Sequence, residues 1–193
     1  MRERRGLRMV SAVAIFLTAV ALQRACTLAW GRTAATDTVR YEISVVGLSR
    51  VSDTGDPPRT DCRWWPRYGD ATLCGPSATD APAHRALRSA YPMLQVAMWL
   101  AVVSLLLQAL RVPRHPLLQA VVPATAAALT ILAIVYVRRG ASHGLAAIST
   151  VPMGFDAAGY RFAVAAAVLS AGSALLLIMS ISRGRSSGVD VDA

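Results

Sequence analysis

The sequence contains no lysine, and all 20 of its basic residues are arginine. Together with the heavy use of alanine, this is the codon signature of a GC-rich, bacterial-type genome and carries no functional information. Aromatic residues make up only 6% of the chain, and histidine and cysteine occur three times each. His84, His115 and His143 lie far apart in sequence, which is not the spacing of a metal site. No C-x-x-C pair occurs, which removes the arrangement by which disulfide-exchanging enzymes lower one thiol pKa and relay electrons. No Asp, Glu, His or Lys interrupts the long apolar runs, so the ionisable groups that proton-coupled transporters hold at membrane depth are missing. Arg24 is the only charge inside those runs. It lies near the end of one, where an arginine can snorkel to the headgroups.

What is present is apolar surface. With 54% hydrophobic residues and a mean hydropathy of +0.44, the chain reads as a membrane protein, and four segments have the length to cross hydrocarbon. They are residues 9–30, 92–110, 117–137 and 162–181. The first has a second reading as a cleaved signal peptide, because Arg2, Arg4, Arg5 and Arg8 precede an apolar core and Ala19-Val20-Ala21 resembles a cleavage site. Apolar character resumes after Arg24 through Ala25, Leu28 and Trp30, which favours a retained helix.

Residues 1–8, 111–115 and 182–193 hold eight arginines against three acids, whereas the loop 31–91 holds eight against seven. The positive charge therefore flanks helix ends on one side, as the positive-inside rule expects of cytoplasmic termini. Arg138 and Arg139 run against that pattern. A charge divided this way is not a nucleic-acid face. The resulting layout is a cytoplasmic N-terminus (1–8), an outer loop (31–91), a tight cytoplasmic turn (111–116), a second outer loop (138–161) and a cytoplasmic tail (182–193).

In the first loop, Val39, Tyr41, Ile43 and Val45 alternate with polar residues, the period of a strand with one covered face. "GLSRVSDTGDPP" then reads as a break, and the sequence around Gly69-Asp70 as a short hairpin. The expectation is a small antiparallel sheet resting on an all-α four-helix bundle. Alanines at 120, 124 and 128, and at 163, 167 and 171, form ladders suited to close helix packing.

Cys62 and Cys74 enclose 11 residues. A bridge of that span stabilises by about 3 kcal/mol in the loop-entropy model, which suits an outer sheet too small for its own core. The other reading makes the pair a redox device. Cys26, inside the first span, reads as a small apolar packing residue.

Trp30 at the end of the first span, Gly47-Leu48, Cys62, Cys74 and Arg85 in "HRALRSAY" follow the order of the W, G-L-W, C, C and R-A-L signature of the claudin and peripheral-myelin-protein superfamily, which the chain resembles. "GFDAAGYRFAVAAAV" is similar to the family's entry into its fourth helix. Ser49 stands where the family has the tryptophan of G-L-W, and the gap from Leu48 to Cys62 is longer. The resemblance implies a non-catalytic tetraspan protein without cofactor, whose outer sheet contacts further copies, another membrane protein or a neighbouring cell. Trp64, Trp65, Tyr68, Phe155 and Tyr160 are the candidate contact residues. The alternatives from the sequence are a membrane thiol/disulfide redox protein and a small channel- or transporter-forming subunit.

Overall fold

In a computed structural model of the chain, residues 2–33, 39–52, 59–63, 82–110, 116–144 and 153–186 are described. Four helices dominate: α1 (Arg2–Thr27), α2 (Pro82–Ala109), α3 (Pro116–Gly144) and α4 (Ala158–Ser186). Two of them begin on proline, whose fixed φ suits the first helical position and whose missing N–H costs nothing there. Each contains a stretch of 22 to 25 residues long and apolar enough to cross a membrane. At a rise of about 1.5 Å per residue such a stretch exceeds the roughly 30 Å of a bilayer's hydrocarbon. The chain is a multi-pass membrane protein.

All four helices begin before the expected spans, while α1 ends at Thr27, short of the expected bound at Trp30. α2 begins ten residues before Pro92, taking in His84, Arg85 and Arg88, because a helix need not stop where the membrane does. α3 and α4 likewise extend past the apolar runs at both ends.

Burial repeats along every helix at alternating steps of three and four residues. The buried set includes Ser11, Ile15, Thr18, Leu22 and Ala25 on α1, and Ala90, Leu94, Ala97, Ala101 and Ser104 on α2. On α3 it includes Pro123, Ala126, Thr130, Ala133 and Val137, and on α4 Ala163, Ala166, Ser170, Ser173 and Leu177. A period near 3.5 is that of knobs-into-holes packing with left-handed supercoiling.

The residues on these seams are mostly small, while Phe16, Trp99, Leu106, Val121, Val168 and Leu175 face outward. In water that arrangement would be inverted. In lipid, apolar tails solvate the large side chains, and close backbone approach between small residues holds the helices together. The expected alanine ladders are corrected here: Ala120, Ala163 and Ala167 are buried, Ala171 is half-buried, and Ala124 and Ala128 point outward. Steps of four drift off a 3.5-residue seam.

Apart from the Ser104 hydroxyl, polar groups on the seams are satisfied locally or across helices. Thr18 and Thr130 donate to the carbonyls of Ala14 and Ala126. Ser170 of α4 donates to the carbonyl of Pro123 on α3 at 2.7 Å. Gln108 of α2 donates to Ser11 of α1 at 3.4 Å.

Five short strands form one antiparallel sheet at one end of the bundle: β1 (Gly31–Thr33), β2 (Val39–Ile43), β3 (Gly47–Ser52), β4 (Arg59–Arg63) and β5 (Met153–Gly154). Their order is β4-β3-β2-β1-β5, so a strand from the second loop completes a sheet built by the first. The stretch read as a break after Val45 instead begins with β3, which pairs along all of β2 from Val39↔Ser52 to Ile43↔Leu48. A β-bulge lies where β3 meets β4: Leu48 pairs with Cys62 and Ser49 with Thr60, leaving Asp61 as the extra residue. The proposed hairpin at Gly69-Asp70 lies outside the described residues.

Candidate functional site

The sheet is fastened to the bundle at a joint where α1 ends, β2 ends and α4 begins. Trp30 is fully buried there. Its backbone N–H donates to the carbonyl of Ile43 at 2.7 Å. Its indole Nε1–H reaches back to the carbonyl of Ala25 at 2.6 Å, using one of the acceptors that the last turn of α1 leaves open. An indole suits this place because it fills a core position and still carries a donor.

Gly159, the second residue of α4, makes the close approach possible. Its N–H donates to the carbonyl of Ala29 at 2.8 Å. A Cβ at this position would lie 2.5 Å from the Leu28 carbonyl oxygen and 2.6 Å from Trp30 Cδ1. Tyr160 then meets Trp30 edge-to-face at 6.1 Å between ring centroids, and Phe155 lies 6.2 Å from Tyr160.

The β2–β3 hairpin supplies the third contact. Its turn, Ser44 to Gly47, is closed by the Ser44 N–H donating to the Gly47 carbonyl at 2.8 Å, while the Ser44 hydroxyl accepts from the N–H groups of Val46 and Gly47. With the backbone held by a side chain, the tip can be apolar. Val45 is fully buried, and Val46 packs partly buried against the same cluster as Trp30, Ile43, Leu94 and Ala163. The hairpin tip thus closes the sheet end of the helix core. Burying a valine side chain is worth about 1.5 kcal/mol or more. On the sheet, Arg32 pairs with Glu42 directly across β1 and β2 at 3.0 Å. This half-exposed pair adds register more than stability.

No protein-family model matches the chain, and no curated protein matches it.

Of the residues singled out from the sequence, Trp30 and Gly47 are buried in or beside the joint. Leu48, the second residue of β3, pairs with Cys62 in β4, while Arg85 lies in the first turns of α2. Trp64, Trp65, Tyr68 and Cys74 lie outside the described residues, as does the side chain of Cys62, so the staple between the cysteines has no structural description. Phe155 and Tyr160 are half-buried against the core cluster and brace the joint. Cys26 is buried in α1, within hydrogen-bonding reach of Gln95 on α2.

The sequence reading gave no role to Ser44 and held Gly159 only as part of the stretch that leads into the fourth helix. A glycine required by close approach leaves no pattern in a single sequence, and a serine in a turn looks like any other. Among the described residues no group of His, Cys, Asp and Glu is placed to hold a metal ion.

Proposed function

We propose that the chain is a claudin-like tetraspan protein that acts without catalysis, presenting its outer sheet to further copies or to another membrane protein in adhesion, lateral assembly or modulation of that partner. The observation that carries this reading is the joint. A sheet of this size has no core of its own. Here it draws on the bundle's core through Trp30, Ile43, Val45 and Gly159, so its outer face is held in fixed orientation above the membrane. Both loops contribute strands, which spends the loop sequence on one rigid platform. The arginine distribution supports an orientation with the platform outside the cell and both termini in the cytoplasm.

The test is site-specific photo-crosslinking in intact membranes from Ser49, half-exposed on the sheet, with Val168 on the outward face of α4 as the comparison. The reading expects discrete protein adducts from Ser49 and predominantly lipid adducts from Val168. Absence of protein adducts from the sheet would remove the platform role. A reporter active only in the cytoplasm, fused at Ala193, checks the orientation.

A further inference from the structure

At the end of the bundle away from the sheet, where α1 begins, α2 ends and α3 begins, a cavity of about 700 Å³ opens among Arg8, Met9, Ala12, Leu105, Gln108 and Gln119. Its size falls within the roughly 300–1,000 Å³ of small-molecule sites. It lies in the seam between α1 and α2, which share the smallest contact of the neighbouring helix pairs.

The lining is divided chemically. Met9, Ala12 and Leu105 offer hydrocarbon. Arg8 is exposed and brings a guanidinium to the level where α1 leaves the apolar region. Gln108 sits between the two. Its amide N–H donates to Ser11, but its Oε1 is buried with no hydrogen-bond partner, and one turn back the buried Ser104 hydroxyl also has none.

A buried carbonyl oxygen without a donor is costly, and more so where lipid replaces water. The cavity therefore presents a cation for an anion and an apolar wall for an alkyl chain, and a turn of the Gln108 carboxamide about its terminal torsion would bring the unpartnered Oε1 to it as an acceptor for a hydroxyl. The abundant molecule that carries all three together is a glycerophospholipid with a hydroxyl-bearing anionic head.

We propose that this cavity binds such a lipid, with its phosphate at Arg8, a head hydroxyl donating to Gln108 Oε1 and an acyl chain along Met9, Ala12 and Leu105. The inference requires only the membrane setting and is independent of what the outer sheet contacts. Charge-assisted hydrogen bonds from guanidinium to phosphate are the stronger kind, so Arg8 supplies affinity. Gln108 supplies selection for the hydroxyl, because the analogue without it leaves the acceptor unpaired.

The full chain is purified in detergent with equal amounts of dioleoyl phosphatidylglycerol, phosphatidic acid and phosphatidylcholine, and the retained lipid is counted by native mass spectrometry. Phosphatidylglycerol should be retained about tenfold over phosphatidylcholine, with phosphatidic acid between them. Gln108→Leu, near in volume and suited to a membrane helix, should abolish the preference over phosphatidic acid. Arg8→Gln should abolish the preference for phosphatidic acid over phosphatidylcholine, and Arg161→Gln at the far end should change neither preference.

Thermal unfolding of the unaltered chain gives a second readout that needs no variant. Added phosphatidylglycerol should raise the midpoint, and soluble glycerol phosphate should not. Equal retention of all three lipids, a Gln108→Leu chain that selects like the parent, or stabilisation by glycerol phosphate equal to that by the lipid would each overturn the assignment.

Discussion

Replacing Gly159 by alanine tests the joint at its narrowest point. The new methyl carbon would lie 2.5 Å from the Leu28 carbonyl oxygen, 2.6 Å from Trp30 Cδ1 and 2.7 Å from the Ala29 carbonyl oxygen. Two of these are backbone atoms, and the third belongs to a fully buried ring, so none can swing aside. Ordinary contact begins near 3.4 Å. The start of α4 must therefore retreat by close to 1 Å from the end of α1. Overpacking of this kind costs about 1–3 kcal/mol, and stretching the 2.8 Å bond from Gly159 N–H to the Ala29 carbonyl adds about 1 kcal/mol.

Against this stands the helical preference of alanine over glycine, at most about 1 kcal/mol and less at the second residue of a helix. The clash wins, for a net loss of about 2–3 kcal/mol. At roughly 2–4 °C per kcal/mol for a chain of this length, the midpoint should fall by about 5–10 °C. Gly172, on the same helix, is the control, because a Cβ there meets nothing within 4 Å. Gly172→Ala should gain up to about 1 kcal/mol from propensity alone. Thermal unfolding in detergent, followed by tryptophan fluorescence, compares the three chains. If Gly159→Ala matches the parent or rises with Gly172→Ala, the joint is not packed as described.

Trp30→Phe keeps most of the buried volume but strands the Ala25 carbonyl, and should lower stability by about 1–3 kcal/mol in the same assay. Val168→Arg places a charge mid-way along α4 at a position 66% exposed. In a bilayer it should cost about 2.5–3.5 kcal/mol and reduce insertion, whereas at a water-facing position it would be nearly silent, so carbonate extraction separates the two. If Cys62 and Cys74 form a permanent bridge, replacing both with alanine should lower outer-loop protection from protease by an amount matching about 2–5 kcal/mol, with Cys26→Ala close to the parent. Thiol trapping in membranes should then find the outer pair oxidised, and a sizeable reduced or mixed-disulfide fraction would favour the redox reading.

The four helices were legible because length and hydropathy suffice to find a span. Which face of each turns inward was not, since the seam is lined by Ala126, Ala133, Ala163 and Ser170 while Leu175 and Val168 face lipid. A scale that rewards size points to the wrong face. Strand β2 announced itself through alternation from Val39 to Val45. Strands β1 and β5, three and two residues long, are too short to show any period and exist through their pairing, Arg32 with Gly154 and Thr33 with Met153. Trp30 was visible as an aromatic at a span's end. Its partner Gly159 was not, because what makes a side chain impossible there is a carbonyl some 130 positions earlier in the chain.

That distance sets an order of assembly. Only six residues separate α2 from α3, and each can find its neighbour as soon as the second leaves the ribosome. The first helix has no such luck, because a principal partner of α1 is the last helix made. Until α4 arrives, the indole of Trp30 lacks its aromatic neighbour, the Ala29 carbonyl lacks a donor and β1 lacks one of its two flanking strands. A chain released before Met153 would hold three spans and an unfinished sheet. The complete sheet is therefore a late product of synthesis, and its completion reports that the last helix has been correctly inserted.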